Sequence, residues 1–190
     1  MSRLTRDDII AGAGRRFATH GYHGTSMRDL GDDLGILGSS IYAHVGGKQE
    51  LLVAVIERGA GFFAASARRA VEARLEASAT LSLLVSGHID VVLDHRSEAR
   101  TYLSETSFLE PLDQARVSHA RDTYEAVFVD VIARGIAEGV FDRERDAKLS
   151  AVYILSVLNT IDRWFDEKGR FDKDQLSEDV YGFVTKGLIG

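Results

Sequence analysis

The stretch TSMRDLGDDLGILGSSIYAHVGGKQEL, residues 25–51, has the pattern of two short helices that meet at a glycine. Met27, Leu30 and Leu34 recur at steps of three and four residues, so they give the first helix a single apolar face. Ser26 precedes this face and is placed to cap the first turn with its hydroxyl group. We therefore expect a short amphipathic helix that begins just after Ser26.

The second short helix is expected at residues 37–44. Gly35 can adopt the left-handed conformation that a tight turn between two helices requires. Leu37, Ile41 and Val45 then turn inward at four-residue steps, and the small polar side chains between them face outward. Two helices joined in this way are typical of helix-turn-helix domains, in which the second helix reads the major groove of DNA.

A further amphipathic helix precedes this pair. Thr5 or Asp7 can cap it, Phe17 lies on its apolar face, and Gly21 is placed to end it. With this helix included, residues 8–55 resemble the N-terminal domain of the TetR family of transcriptional repressors. The matching residues are Phe17, Gly21-Tyr22, Thr25-Ser26, Leu34-Gly35, Ser39-Ser40-Ile41-Tyr42, Lys48 and Leu51.

Apolar residues return at helical spacing almost everywhere, which predicts an all-α protein. The resemblance implies a helix-turn-helix DNA-binding domain in residues 1–50 and a larger helical effector-binding and dimerisation domain in residues 51–190. Residues 137–166 also look like the family's ligand domain, whose last two long helices usually pair with those of a second subunit. The resemblance thus implies a homodimeric repressor that binds a near-palindromic double-stranded DNA operator and is released by a small-molecule effector.

Ten residues are predicted to form the DNA-binding site. They are Thr25, Ser26, Leu37, Gly38, Ser39, Ser40, Tyr42, Ala43, His44 and Lys48. By resemblance, Tyr42 and Lys48 match positions that contact the DNA backbone. Thr25, Ser26 and Ser40 lie at or near helix starts, where hydroxyl and amide groups meet phosphate oxygens. The remaining five residues are expected at base edges. For Tyr42 the alternative is a half-buried aromatic ring, and for His44 it is a histidine that is only solvated.

The predicted reading helix departs from the family pattern at its start. Leu37 and Gly38 stand where the family usually has a capping serine or threonine and then a lysine or arginine. Loss of the cap costs about 1 kcal/mol, and loss of the cation removes one phosphate or guanine contact. Gly31 replaces a usual alanine, which weakens its helix but permits a closer helix crossing.

The net charge of −6 is unusual for a protein that binds nucleic acid. Residues 1–58 hold seven Lys and Arg against seven Asp and Glu, so the whole negative charge lies in the remainder. A neutral domain can bind DNA when its cations share one face, but with modest affinity and strong salt dependence. Arg16 and Arg28 are interpreted here as charges that solvate their helix faces.

Composition limits the compartment and the chemistry. The chain has no cysteine, which excludes disulfides and thiolate metal sites. No apolar run approaches the roughly 20 residues of a membrane span, and the start MSRLTRDD does not have the pattern of a signal peptide. We therefore expect a cytoplasmic protein that has no membrane partner.

The second domain is expected to bind a mostly apolar effector, such as an acyl or aromatic compound. The candidate pocket residues are His88, Tyr102, Phe108, Tyr124, Phe128, Asn159, Arg163 and Trp164. For each aromatic residue the alternative is plain core packing, because pockets and cores use the same side chains. The apolar segment AVYILSVL at residues 151–158 predicts burial, either between two subunits or inside one.

Two other functional classes are alternatives. An enzyme with a di-metal carboxylate site needs Glu-x-x-His pairs, and no glutamate in the chain has a histidine three positions later. The pair His20 and His23 spans a glycine turn and is expected to be solvated. We therefore expect no catalytic residue, metal site or cofactor. The other alternative is a helical adaptor that keeps the helix-turn-helix shape without reading DNA.

Overall fold

The computed structural model describes residues 4–166 and 168–189, and all regular secondary structure in this part of the chain is helical. The helices are α1 (Arg6–His20), α2 (Met27–Leu34), α3 (Gly38–Ile41), α4 (Lys48–Glu72), α5 (Ala77–Asp94), α6 (Arg96–Ser104), a 3-10 helix (Thr106–Phe108), α7 (Pro111–Ala137), α8 (Ala147–Leu158), α9 (Ile161–Trp164) and α10 (Lys173–Ile189). The predicted all-α class is confirmed.

The chain forms two compact units, each assembled from two separate stretches. Unit 1 contains Met1–Gly61 and His95–His119, and unit 2 contains Phe62–Asp94 and Ala120–Gly190. The long helices α4 and α7 each contribute residues to both units. Residue 50, after which the sequence places the domain boundary, lies near the start of α4. The two compact units divide further along the same helix, between Gly61 and Phe62.

The first two helices begin at capping boxes. The Thr5 hydroxyl accepts the Asp8 N–H at 3.2 Å while the Asp8 carboxylate accepts the Thr5 N–H at 2.8 Å, and Ser26 and Asp29 make the same exchange at 3.1 and 2.9 Å. The pKa of both carboxyl groups is lowered, first by hydrogen bonds from the Thr5 and Ser26 hydroxyl groups and then by those from the N–H groups of the same residues. The predicted caps are confirmed, with Thr5 rather than Asp7 capping α1.

Helices α2 and α3 approach each other backbone to backbone. A Cβ atom on Gly31 would lie 2.6 Å from the Gly38 nitrogen and 2.8 Å from the Ile36 oxygen, and one on Gly38 would lie 2.8 Å from the Met27 oxygen. Gly35 has the left-handed conformation, with φ 68°, in the turn between the helices. The close crossing that Gly31 permits is confirmed, and it requires a second glycine at position 38.

The core of unit 1 contains Ile41 and Val45, as the four-residue spacing predicts. The inward position predicted for Leu37 is wrong, since its side chain is 75% exposed. Leu37 is the residue before α3 and has extended backbone angles, φ −68° and ψ 136°, so it does not follow the periodicity of the helix. No side-chain cap forms at this end, as the sequence predicts.

Unit 2 is built around α5, which buries both polar and apolar side chains, including His88. By length and composition α5 could cross a membrane, yet 56% of it is buried inside the protein, as in the core helix of a soluble domain. Pro111 begins α7, because the first helical position needs no N–H donor. Helix α8 ends at Leu158, and the short helix α9 follows from Ile161.

We expect Gly31→Ala to lower the free energy of unfolding by about 1–3 kcal/mol, the usual cost of forcing extra volume into a packed contact. Gly61→Ala is the matched control, because no atom lies within 4 Å of a Cβ at this position in α4. It should raise stability by about 0.5–1 kcal/mol, since alanine favours helix more than glycine does. Urea denaturation measures both, and an unchanged or higher stability for Gly31→Ala would contradict the backbone contact.

Candidate nucleic-acid interface

Helix α3 and the turn after it present most of the residues predicted to read DNA. Leu37, Ser39, Ser40, Tyr42 and Ala43 are exposed, whereas Gly38 and His44 are partly buried. Tyr42 is 56% exposed, so its side chain is available at the surface although the residue is also partly covered, as the half-buried alternative describes. The buried Ile41 anchors this short helix in the core beneath the exposed surface.

The two hydroxyl groups before α2 have partners inside the protein. Thr25 is buried, and its hydroxyl donates to the Gly21 carbonyl oxygen at 2.9 Å. The Ser26 hydroxyl is exposed but donates to the Asp29 carboxylate at 2.7 Å. Thr25 therefore holds the turn between α1 and α2, and Ser26 lies at the surface as a helix cap.

Lys48, at the start of α4, is also held within unit 1. Its ammonium group donates to the carbonyl oxygens of Tyr22 and Thr25, at 3.0 and 2.8 Å, and lies 4.2 Å from the centre of the Tyr22 ring. The Tyr22 hydroxyl donates to the Gln49 side-chain oxygen at 2.7 Å. These contacts fasten the start of α4 to the α1–α2 turn, a role that sequence spacing does not indicate.

Several cations of unit 1 are neutralised by nearby carboxylates. The pairs are Arg6 with Glu50 at 3.1 Å, Arg16 with Asp33 at 2.9 Å and with Asp29 at 3.7 Å, and Arg58 with Glu98 at 3.7 Å. The hydrogen bond to Asp33 raises the pKa of Arg16. Ion pairing therefore reduces the positive charge that this unit can offer to phosphate.

Arg28 differs from these residues because it is exposed and forms no ion pair with any residue in the described part of the chain. Its Cα atom lies 3.1 Å from the place that a Cβ on Gly38 would occupy. Gly38 lacks the cation that is usual at this position, but Arg28 on α2 lies directly beside it. The sequence interpretation of Arg28 as a solvating charge missed this proximity, which depends on the close crossing of α2 and α3.

The predicted effector residues fall into three places. Tyr102 and Phe108 belong to unit 1, where Phe108 stacks on Tyr22 with ring centres 5.8 Å apart. Arg163 and Trp164 are exposed on the short helix α9. The other four, His88, Tyr124, Phe128 and Asn159, lie elsewhere in unit 2, to which Arg163 and Trp164 also belong.

A buried polar and aromatic cluster forms inside unit 2 around His88. The His88 Nδ1 atom lies 3.0 Å from the Tyr124 hydroxyl, and the ring centres of Phe63 and His88 are 4.8 Å apart. Tyr124 also contacts Phe63 and Phe128, both with ring centres 5.5 Å apart. Burial lowers the pKa of His88 to about 3, so its imidazole is neutral at physiological pH. Phe63 was missing from the predicted set because it reads as a residue of the connecting helix.

A second feature of unit 2 is an apolar groove between α8 and α10. It encloses about 750 Å³, and its lining includes Leu149, Tyr153 and Phe183. These three side chains are 48%, 64% and 68% exposed. The charged residues Glu144 and Lys186 also line this groove.

A capped α2, a left-handed glycine turn and an exposed α3 define a helix-turn-helix regulator that carries a second helical unit. The chain belongs to the TetR family. Residues 9–55 match the description "Bacterial regulatory proteins, tetR family", and residues 74–188 match "Tetracyclin repressor-like, C-terminal domain". The resemblance found in the sequence is thereby confirmed, and the chain is a DNA-binding transcriptional regulator.

Two relatives and one solved structure illustrate what this chain is similar to. The transcriptional repressor KstR2 of Mycobacterium tuberculosis is 25% identical over 186 residues, covering 96% of this chain and 92% of its own. The transcriptional activator FasR of Mycolicibacterium smegmatis is 25% identical over 193 residues, covering 98% and 86%. The structure of AibR with isovaleryl coenzyme A and operator DNA has a TM-score of 0.86 at 22% identity, covering 94% and 96%, and shows likeness of fold.

We expect Lys48→Met and Arg28→Met to affect DNA binding in different ways. Lys48→Met should weaken binding through a loosened α1–α2 turn and leave the salt dependence of the affinity unchanged. Arg28→Met should reduce the slope of log affinity against log salt by about 0.9 for each lost phosphate contact.

Fluorescence anisotropy over a range of salt concentrations measures both slopes on one DNA duplex. A reduced slope for Lys48→Met would show that its ammonium group contacts phosphate instead of serving as an internal tie.

Proposed function

We propose that this regulator is a homodimeric repressor that binds a near-palindromic operator and leaves it when a mostly apolar small molecule binds. The observation that carries the proposal is the exposed surface of α3, held on a buried Ile41 and followed by an exposed Tyr42. Two such surfaces, one from each subunit, would read half-sites about 34–36 Å apart.

The proposed contacts with DNA follow from exposure. Leu37, Ser39 and Ala43 offer apolar and hydroxyl groups to base edges, and Ser40 and Tyr42 offer hydroxyl groups to phosphate. His44 borders this surface and is partly buried. Arg28 supplies the cation that Gly38 lacks, since guanidinium groups bind both phosphate and guanine well. Thr25 and Lys48 serve the site by holding the α1–α2 turn.

The groove between α8 and α10 supports the homodimer. An exposed patch of large apolar side chains costs free energy in water, and such patches commonly mark protein interfaces. Tyr153 on α8 and Phe183 on α10 are the most exposed large apolar residues of the groove. A second copy of the same two helices would cover them and form a four-helix bundle, as the family resemblance implies.

The effector class is proposed from unit 2 and from the relatives. AibR is solved with isovaleryl coenzyme A, and KstR2 is described as a ketosteroid transcriptional regulator. A ketosteroid is a mostly apolar molecule with oxygen functions, and the isovaleryl group is apolar although its coenzyme A carrier is charged. These apolar parts agree with the aromatic cluster around His88. We propose repression as the direction of control. The alternative is activation, since FasR is described as a transcriptional activator. We place the protein in the cytoplasm and assign it no catalytic role.

An adaptor that keeps the fold without reading DNA is the competing function. It is favoured by Leu37 and Gly38, which replace the usual cap and cation, and by the ion pairs that neutralise Arg6 and Arg16. Binding experiments on DNA separate the two functions directly.

We expect Tyr42→Ala to weaken binding to the DNA upstream of the protein's own coding region by about tenfold or more, because a hydrogen bond to a charged group contributes about 1.5–3 kcal/mol. Phe171→Ala is the control, since this ring is 54% exposed but belongs to unit 2. It should leave affinity unchanged in a gel-shift titration. Wild-type protein that binds no DNA at low salt would favour the adaptor.

The proposed dimer is tested by Phe183→Glu, which places a charge in the apolar groove. Light scattering should give twice the chain mass for the wild type and the mass of a single chain for the variant at micromolar concentration. Leu112→Glu is the control, since Leu112 is 84% exposed outside the groove, and it should remain dimeric. A dimer that persists in Phe183→Glu would place the interface elsewhere.

A further inference from the structure

The imidazole of His88 is the buried polar group in unit 2 that the fold itself does not explain. His88 is 1% exposed, and its Nε2 atom has no hydrogen-bond partner in the described part of the chain. A buried polar atom without a partner costs about 1–3 kcal/mol, and a native protein retains few of them. Phenylalanine would fill a similar volume among these aromatic rings without that cost. A ligand that bonds to Nε2 would explain why a histidine occupies this position.

The other ring nitrogen determines what Nε2 offers. Nδ1 lies 3.0 Å from the Tyr124 hydroxyl. A phenol is a strong donor and an imidazole nitrogen a strong acceptor, so the O–H of Tyr124 donates to Nδ1. The single proton of the neutral ring then lies on Nε2. His88 therefore presents an N–H donor, which suits an acceptor oxygen.

The surroundings of His88 determine the rest of the ligand. Phe63, Tyr124 and Phe128 surround the imidazole with aromatic rings, and none of these side chains carries a charge at neutral pH. Asn159, at the end of α8, interacts with the His88 side chain in a way that opposes the effect of burial on the pKa of His88, but its uncharged amide does not reach hydrogen-bond geometry at Nε2. An ionised ligand group would lose its hydration here without gaining a counter-charge, which is costly. An uncharged acceptor on an apolar body fits this composition.

Tyr124 connects the cluster with the protein surface. Phe63, His88 and Phe128 are buried, but Tyr124 is only partly buried. The phenol side chain that contacts His88 is therefore also the most accessible of these four residues.

We propose that His88 anchors the effector by donating its Nε2–H to a carbonyl oxygen of an uncharged, mostly apolar ligand, with Tyr124 orienting the imidazole. The inference rests on the proposed effector response, since it names the chemistry that unit 2 recognises. A ketone, ester or thioester carbonyl meets the requirement. A hydroxyl group meets it less well, because it offers a weaker acceptor and brings a donor that needs its own partner.

The first test compares three probes of similar shape, namely 4-phenyl-2-butanone, 4-phenyl-2-butanol and butylbenzene. Titration calorimetry with the full chain should show the ketone binding about 5–10-fold more tightly than the hydrocarbon, as one neutral hydrogen bond predicts. In His88→Phe the ketone should lose this advantage, while the hydrocarbon binds as well as before or better. If His88→Phe lost affinity for the ketone and for the hydrocarbon equally, His88 would have only a structural role and the proposal would be overturned.

A second test reads the histidine directly and does not depend on the folding of a His88 variant. Nitrogen NMR of ¹⁵N-histidine-labelled protein should show a neutral ring protonated at Nε2, whose resonance shifts when the ketone is added. Tyr124→Phe should weaken the preference for this tautomer and reduce ketone affinity. A ring protonated at Nδ1, or no shift at millimolar ketone, would overturn the proposal.

The tests separate this inference from the proposed repressor function. If the ketone binds at His88 and leaves the DNA complex intact, the ligand site is supported and the effector-driven release of DNA is contradicted. A metabolite that releases DNA equally well from wild type and from His88→Phe would support the release and contradict the site.

Discussion

The backbone contact between α2 and α3 at Gly31 and Gly38 is the constraint on which the DNA-binding surface depends. Helix α3 has four residues and no side-chain cap, so its own hydrogen bonds cannot hold it in place. Packing replaces them, because Ile41 is fully buried beneath the helix. The same close crossing brings Arg28 beside Gly38. The two glycines therefore shape the surface that we propose binds DNA as well as the turn beneath it.

Electrostatics explain why such a domain would need to work in pairs. Unit 1 uses Arg6, Arg16 and Arg58 in ion pairs and Lys48 in hydrogen bonds to carbonyl groups. Exposed ion pairs add little stability, but they reduce the charge available for phosphate. A single copy of unit 1 is therefore expected to bind DNA weakly. In the proposed homodimer, two copies on one operator would raise the affinity because the second binds at a high effective concentration.

The sequence predicts features that depend on neighbouring residues and misses those that depend on distant ones. Ser26, Gly35 and Ile41 follow from local capping, turn and periodicity rules, and the structure agrees with each. Lys48 binds carbonyl groups 23 and 26 positions earlier, and Phe108 stacks on a ring far away in the chain. No local pattern encodes such pairs. The His88 cluster likewise combines residues from α4, α5 and α7, so the sequence could name its members only as candidates.

Selection from a random DNA library tests the central claim most directly. The claim is that this chain binds DNA as a symmetric pair, with one copy of unit 1 on each half-site. The full-length protein would be incubated with random duplexes at low salt, and the bound fraction sequenced after several rounds. The account predicts enrichment of an inverted repeat whose half-sites lie one helical turn apart. An unenriched pool, or an enriched site without two-fold symmetry, would contradict it.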